Sequence, residues 1–204
     1  MTAGKIHHSK GLVDWQVLRY LWLGSLPASI AMILLMHFGL ISTNVHFLKT
    51  ILAIAILVTA ITLLIQNQFY KLGKFFRLNQ AEGFKRWQPF LTILAGITLG
   101  ALVTLTSIGA GAIGVVMLTY LYPLRLKPAR LVATDIVHAI PLTLFAGVGH
   151  LLIGNIDFGL LGWLLCGSIP GVMIGANLSS KVPQKILRIA ISALLLLTAI
   201  NLLR

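Results

Sequence analysis

Two stretches of this chain hold residues whose type and spacing could do chemistry. The first is Ser107-Ile108-Gly109-Ala110-Gly111-Ala112, which leads into an apolar run ending near residue 123. A helix that starts here presents free N–H groups and a partial positive charge at its N-terminus. Glycines let a bound anion approach that backbone. An anion site of this kind needs no arginine. The competing reading is close packing of small residues against a neighbouring helix. The second stretch is Thr134-Asp135 with His138, inside an apolar segment. Asp135 and His138 are i and i+3, so they share a helix face. An ionisable group within such a segment is by default a functional candidate. His138 could carry a proton, because imidazole titrates near physiological pH. Two plainer roles stay open: Asp135 as a helix-terminal charge or partner of Arg130, and His138 bonded to a backbone carbonyl. Ser107, Gly109, Gly111, Thr134, Asp135 and His138 are the candidate binding residues.

The elements that must position them are set by composition. Of 204 residues, 58% are hydrophobic and 10% charged, with mean hydropathy +0.96. Soluble domains carry about a quarter charged residues, and a water-facing surface cannot be built from so few. The chain therefore reads as an all-α polytopic integral membrane protein. A spanning helix needs about 20 mostly apolar residues. Residues 18–40, 47–66, 131–152 and 158–177 qualify, and 187–203 is at the short end. The run 90–123 is too long for one crossing, and its glycine-rich middle weakens a helix. It reads as a discontinuous pair, about 90–106 and 112–123. Such a break is tolerated at membrane depth where it lines a cavity or is buried in protein.

Charge placement tests this count. With seven spanning or half-spanning segments, 14 of the 16 basic residues fall on one side, leaving Lys49 and Arg204 on the other. That side is cytoplasmic by the positive-inside rule, so the N-terminus is inside and the C-terminus outside. The net charge of +12 is spread over these loops and forms no single stripe, which argues against a nucleic-acid partner. The lipid bilayer is the partner it implies. In 67–88, aromatic residues from Phe69 to Trp87 alternate with basic ones, as suits a basic cytoplasmic segment in the headgroup region. The first fifteen residues have no apolar core, so no signal peptide is expected.

The chain also repeats itself at an offset of 143. Residues 3–27 align without gaps on 146–170, with ten identical pairs. They include Asp14/Asp157, Gly24/Gly167, Ser25/Ser168 and Pro27/Pro170. The topology places the two copies in opposite orientations. Inverted repeats with broken helices characterise secondary transporters, whose sites lie at the repeat interface. The expected division is 1–66 as the C-terminal part of a first repeat, 67–88 as the interfacial loop, and 89–204 as a complete second repeat. The second copy begins near Leu91, so the offset leaves about its first fifty residues without a counterpart in the first copy, and the expectation is a chain shortened at its N-terminus.

Pro27, Pro141 and Pro170 sit inside spanning segments, where proline should kink a helix. Ser25 and Ser168 precede two of them and could satisfy the freed carbonyls or face a pathway. Gly167, Gly171 and Gly175 form a face suited to close helix packing. His7, His8 and His150 lie near helix ends and read as interfacial. Cys166 stands alone, so no disulfide or cysteine metal cluster is expected, and nothing implies a cofactor or metal. A zinc peptidase would need His-Glu-x-x-His, but the sole glutamate is Glu82. A rhomboid-like Gly-x-Ser-Gly setting does not surround Ser107. An enzyme is not expected. A channel or a structural subunit of a membrane complex stays open as the alternative.

The stretches TSIGAGAIGVVMLTYLYP, ARLVATDIVHAIPLTLFAGVGHLLIGNIDFGLLG and GSIPGVMIGANL resemble the sulfite exporter TauE/SafE family, also called the toluene sulfonate uptake permease family. The resemblance covers nearly the whole chain and is densest from 104 to 177. It implies a bacterial inner-membrane transporter of small sulfur-containing or organic anions, such as sulfite or sulfonates, driven by an ion gradient. Protons are one candidate for that ion. The matched site elements are the glycine segment with Gly109 and Gly111 and the Thr134-Asp135-x-x-His138 segment. Ala133 stands where many members have glycine. Pairing of the chain with itself as a homo-oligomer is left open.

Overall fold

The computed structural model describes residues 13–40, 45–79, 81–106, 111–154, 156–179 and 182–203. These are helical with short connections, and no strand occurs among them. The helices are α1 (Trp15–His37), α2 (Val45–Leu64), α3 (Gln66–Asn79), α4 (Ala81–Thr106), α5 (Ala112–Leu121), α6 (Pro128–Ile153), α7 (Phe158–Ser179) and α8 (Gln184–Leu203). Five of them are long and apolar enough to cross a membrane, α1, α4, α6, α7 and α8, and α2 makes a sixth when joined to α3. Helix α5 is apolar but only 10 residues long.

The discontinuous pair falls where the glycines placed it. Helix α4 ends at Thr106, and α5 begins at Ala112 after Gly111. Ser107 and Gly109 lie outside the described residues. The 67–88 stretch, expected as a loop, is helical: it supplies α3 and the first turns of α4. The chain bends by 68° between α2 and α3, which turns the amphipathic α3 away from the line of the span. Gly73 then rests on the backbone of Tyr120, with no room for a Cβ. Rings of Phe76, Phe84 and Tyr120 stack or meet edge-on around that contact.

The tightest packing joins α1 to α4. In lipid there is little hydrophobic force between helices, so small residues that let backbones approach supply the attraction. A Cβ on Gly24 would overlap the backbone of Ile93 and Ile97, and one on Gly100 would overlap the backbone of Ser25. These obstacles are backbone and cannot swing aside. Gly24→Ala should therefore lower stability by about 1–3 kcal/mol through overpacking. Its repeat mate Gly167 has nothing within 4 Å, so Gly167→Ala should be close to neutral. Thermal unfolding of both variants in detergent checks the contrast; equal shifts would contradict the packing.

Helix α8 packs along α2. The 143-residue offset carries the start of α2, residue 45, to residue 188, near the start of α8. Elements in equivalent repeat positions thus lie against each other. The equivalence extends to capping. Asp14 accepts a hydrogen bond from the Val17 N–H and caps α1. Asp157 accepts one from the Leu160 N–H, at 3.0 Å, and caps α7. Prolines 27, 141 and 170 all lie within helices that continue on both sides. Helix α7 differs from its mate: none of its described side chains is buried, and nothing approaches within 4 Å of a Cβ at Gly167, Gly171 or Gly175. The small face expected to pack closely meets no backbone among the described residues.

Candidate functional site

Helix α6 carries the three polar candidates, and its neighbours pull them to three different places. Thr134 is buried, and its hydroxyl accepts from the Asp14 N–H at 3.0 Å while donating to the Arg130 carbonyl. It ties α6 to the start of α1. His138 is fully buried, with Nε2 at 2.9 Å from Ser25 Oγ. The Trp22 indole N–H reaches the His138 carbonyl at 3.4 Å. Ser25 is thus a partner of histidine, and His138's ring meets a hydroxyl, not a carbonyl. Further along, the Thr104 hydroxyl donates to the Gly100 carbonyl and lies 2.8 Å from Ser29 Oγ, and His150 Nε2 lies 2.8 Å from the Thr104 carbonyl. A polar seam therefore runs between α1, α4 and α6.

Asp135 faces elsewhere. It is 4% exposed, and its Oδ1 has no hydrogen-bond partner among the described residues. The carboxyl lies against the first turn of α5: a Cβ on Gly114 would run into Oδ1, and one on Gly111 would stand 3.9 Å from Oδ2. Gly114 is required by this approach. Gly111 is the N-cap of α5 and supplies no side-chain cap. Of the candidate residues, Gly111 and Asp135 thus lie beside each other where α5 meets α6.

Arg130 does not go to Asp135. It and Arg125 both turn to Asp14, which is 3% exposed. Arg125 Nε donates to Asp14 Oδ2 at 2.7 Å, and its NH2 group donates to Oδ1 at 2.8 Å. Such a bidentate guanidinium–carboxylate pair combines charge with fixed geometry. It clamps the α5–α6 connection onto the start of α1. Sequence reasoning passed over both residues. The signal was available, because Asp14 is one of the ten repeated identities and stands at a helix start.

A cavity of about 650 Å³ lies between α2, α4, α6 and α7. Its polar lining comes from Lys49, Thr106, Thr143, His150 and Asp157. His150, expected at an interface, contributes to this wall. Thr106 is the last residue of α4 before the break. The cavity therefore reaches the described edge of the glycine segment and is edged by a lysine. Among the described residues no group of three His, Cys, Asp or Glu could hold a metal ion.

A bundle of apolar helices, one of them half-length after a glycine break, defines a multi-pass membrane protein. A family model described as Sulfite exporter TauE/SafE matches residues 1–202. The chain belongs to that family of membrane transporters. It is 30% identical over 212 residues to the "Probable membrane transporter protein YjnA" of Bacillus subtilis (strain 168), a match spanning 96% of this chain and 76% of the relative. It is 28% identical over 99 residues to the "Probable membrane transporter protein YdhB" of the same organism, spanning 48% of this chain and 40% of that protein. No solved structure matches it.

Proposed function

We propose that this chain is a secondary transporter of small sulfur-containing or organic anions, such as sulfite or sulfonates, in a bacterial inner membrane. The observation that carries this reading is the N-terminus of α5, which has no side-chain cap and meets α6 at Asp135, while Thr106, the described edge on the other side of the glycine segment, borders a cavity with a lysine at its wall. Helix N-termini formed by discontinuous helices are where transporters hold anionic groups. Membership of the sulfite exporter TauE/SafE family supports sulfite as the first substrate to try.

The reading extends to mechanism. Lys49 and Asp157 lie on the outer side of the charge-derived topology, and Asp14 and Arg125 on the inner side. The cavity then opens outward while the Asp14–Arg125 pair closes the inner end. Alternating access would break that pair and close the cavity around Asp157, the repeat mate of Asp14.

Lys49 is exposed at the cavity wall and should attract anions without binding them tightly. Lys49→Ala should raise the half-saturating sulfite concentration about fivefold at low salt, through encounter electrostatics. The effect should fade as the Debye length shrinks with added salt. Uptake by right-side-out vesicles at two ionic strengths tests this. An unchanged half-saturation at low salt removes Lys49 from the route.

A further inference from the structure

We propose that Asp135 is the proton-binding group that couples anion movement to a proton gradient. The first turn of α5 then takes either the ionised carboxylate or, once that carboxyl is protonated, a small anion. This inference rests on the transport reading above and names its coupling ion.

Three observations meet at this residue. The carboxyl is 96% buried, and Oδ1 has no partner. It stands against the first turn of a 10-residue helix whose N-cap is glycine. The arginines of the α5–α6 connection turn to Asp14, Arg125 at 2.7 Å and Arg130 at 4.0 Å, and neither pairs with Asp135. An ionised carboxylate in this setting has the half-charge of a helix end as its compensation. Buried unpaired charge is costly, and protonation removes it. Anion binding requires the proton for the same reason: two negative charges at one helix end repel strongly where water is scarce. Whatever the anion gains from a protonated Asp135, the proton gains from the anion, since linkage is reciprocal.

The surroundings supply few rivals. On α6 itself the nearest ionisable groups are Arg130 and His138. From α1 and its lead-in come Asp14, Arg19, Tyr20 and His37; Asp14 is paired with Arg125. Helix α5 offers Tyr120, and α4 has no ionisable residue between Arg86 and Thr106. His138 is the serious alternative: its Nε2 is held by Ser25, and its buried Nδ1 has no hydrogen-bond partner among the described residues, but it faces α1 and not the start of α5. A sodium ion would need several oxygen ligands, and Thr134, next to Asp135, already has its hydroxyl engaged on both sides.

The test uses the full chain in proteoliposomes with labelled methanesulfonate, whose charge is fixed across the pH range, so that pH acts on the protein. Wild type should accumulate the label when the trans side is more alkaline, with sodium or potassium alike. Asp135→Asn should lose that acid-driven accumulation by at least about tenfold, within the usual range of coupling factors. Its label-for-unlabelled exchange should no longer vary with pH, whereas wild-type exchange should rise as pH falls. His138→Gln should keep the accumulation. A second readout needs no flux: adding methanesulfonate to purified wild type in weak buffer should take up about one proton per chain, and Asp135→Asn should take up none. Proton-driven accumulation that survives in Asp135→Asn, or vanishes in His138→Gln alone, overturns the proposal. So does loss of exchange together with accumulation in a well-folded Asp135→Asn, which would make Asp135 part of the binding scaffold. Wild type that exchanges neither methanesulfonate nor sulfite defeats the transport reading itself.

Discussion

Gly111→Leu yields a protein that inserts, folds and carries no anion. A Cβ at Gly111 meets only Asp135 Oδ2, at 3.9 Å, which is ordinary contact. Leucine is also a better helix former than glycine. The backbone therefore has no reason to refuse it. The added carbons cover the N–H groups at the start of α5, where an approaching anion would need them. Uptake should fall at least about 100-fold, equivalent to roughly 2.7 kcal/mol at 1.4 kcal/mol per tenfold. Expression and detergent gel filtration should match wild type. Gly114→Ala makes a useful companion. Its Cβ is driven into the Asp135 carboxylate, so it should impair transport by moving that group. Uptake within a factor of about two of wild type in Gly111→Leu would remove the helix end from the site.

Arg125→Ala and Asp14→Ala should be the costliest single changes to stability among the polar residues. Asp14 does two jobs: it caps α1, and it receives both arms of the Arg125 guanidinium. Loss of the cap alone costs about 1 kcal/mol. Arg125 is 42% exposed and can turn to water when Asp14 is gone, so Asp14→Ala should total about 2–3 kcal/mol. Arg125→Ala strands a 3%-exposed carboxylate with Arg130 4.0 Å away. That should cost about 3–4 kcal/mol, a fall in the unfolding midpoint of roughly 6–16 °C for a chain of this length. Asp157→Ala removes the mate's cap on an exposed helix and should cost no more than about 1 kcal/mol. Thermal unfolding of the three variants in one detergent measures the order. Asp157→Ala costing as much as Asp14→Ala would contradict the asymmetry between the two copies.

The residues that build the scaffold were legible because their signals are local. Apolar runs gave the spans, and the glycines at 109 and 111 located the break that the structure bounds at Thr106 and Gly111. The repeat predicted matched helices, and the caps at Asp14 and Asp157 bear the match out. What stayed hidden depends on pairs far apart in the chain. Arg130 stands five residues before Asp135 and was a natural partner for it. The structure sends it 116 residues back to Asp14, because the α5–α6 connection passes beside the start of α1. Thr134, Asp135 and His138 are neighbours in sequence, yet Thr134 and His138 reach the two ends of the first half of α1 while Asp135 meets α5. Close spacing on one helix fixes which face a residue shares. It does not fix what packs against that face. His150 shows the same limit: its position near a helix end suggested an interface, but α4 lies close enough to offer the Thr104 carbonyl. The GxxxGxxxG face of α7 shows the converse. The motif states a capacity for close approach, and among the described residues no helix uses it.

The central claim is that this protein moves small sulfur oxyanions across a membrane. Counterflow tests it most directly. Proteoliposomes preloaded with unlabelled sulfite are diluted into a trace of labelled sulfite, and label is followed over time. The account predicts a transient overshoot of label that saturates with sulfite, is competed by methanesulfonate, and is absent with Gly111→Leu. Label entry no faster than in protein-free vesicles, with wild type folded and inserted, would contradict it. Entry that rises linearly with concentration and shows no overshoot would point to a channel.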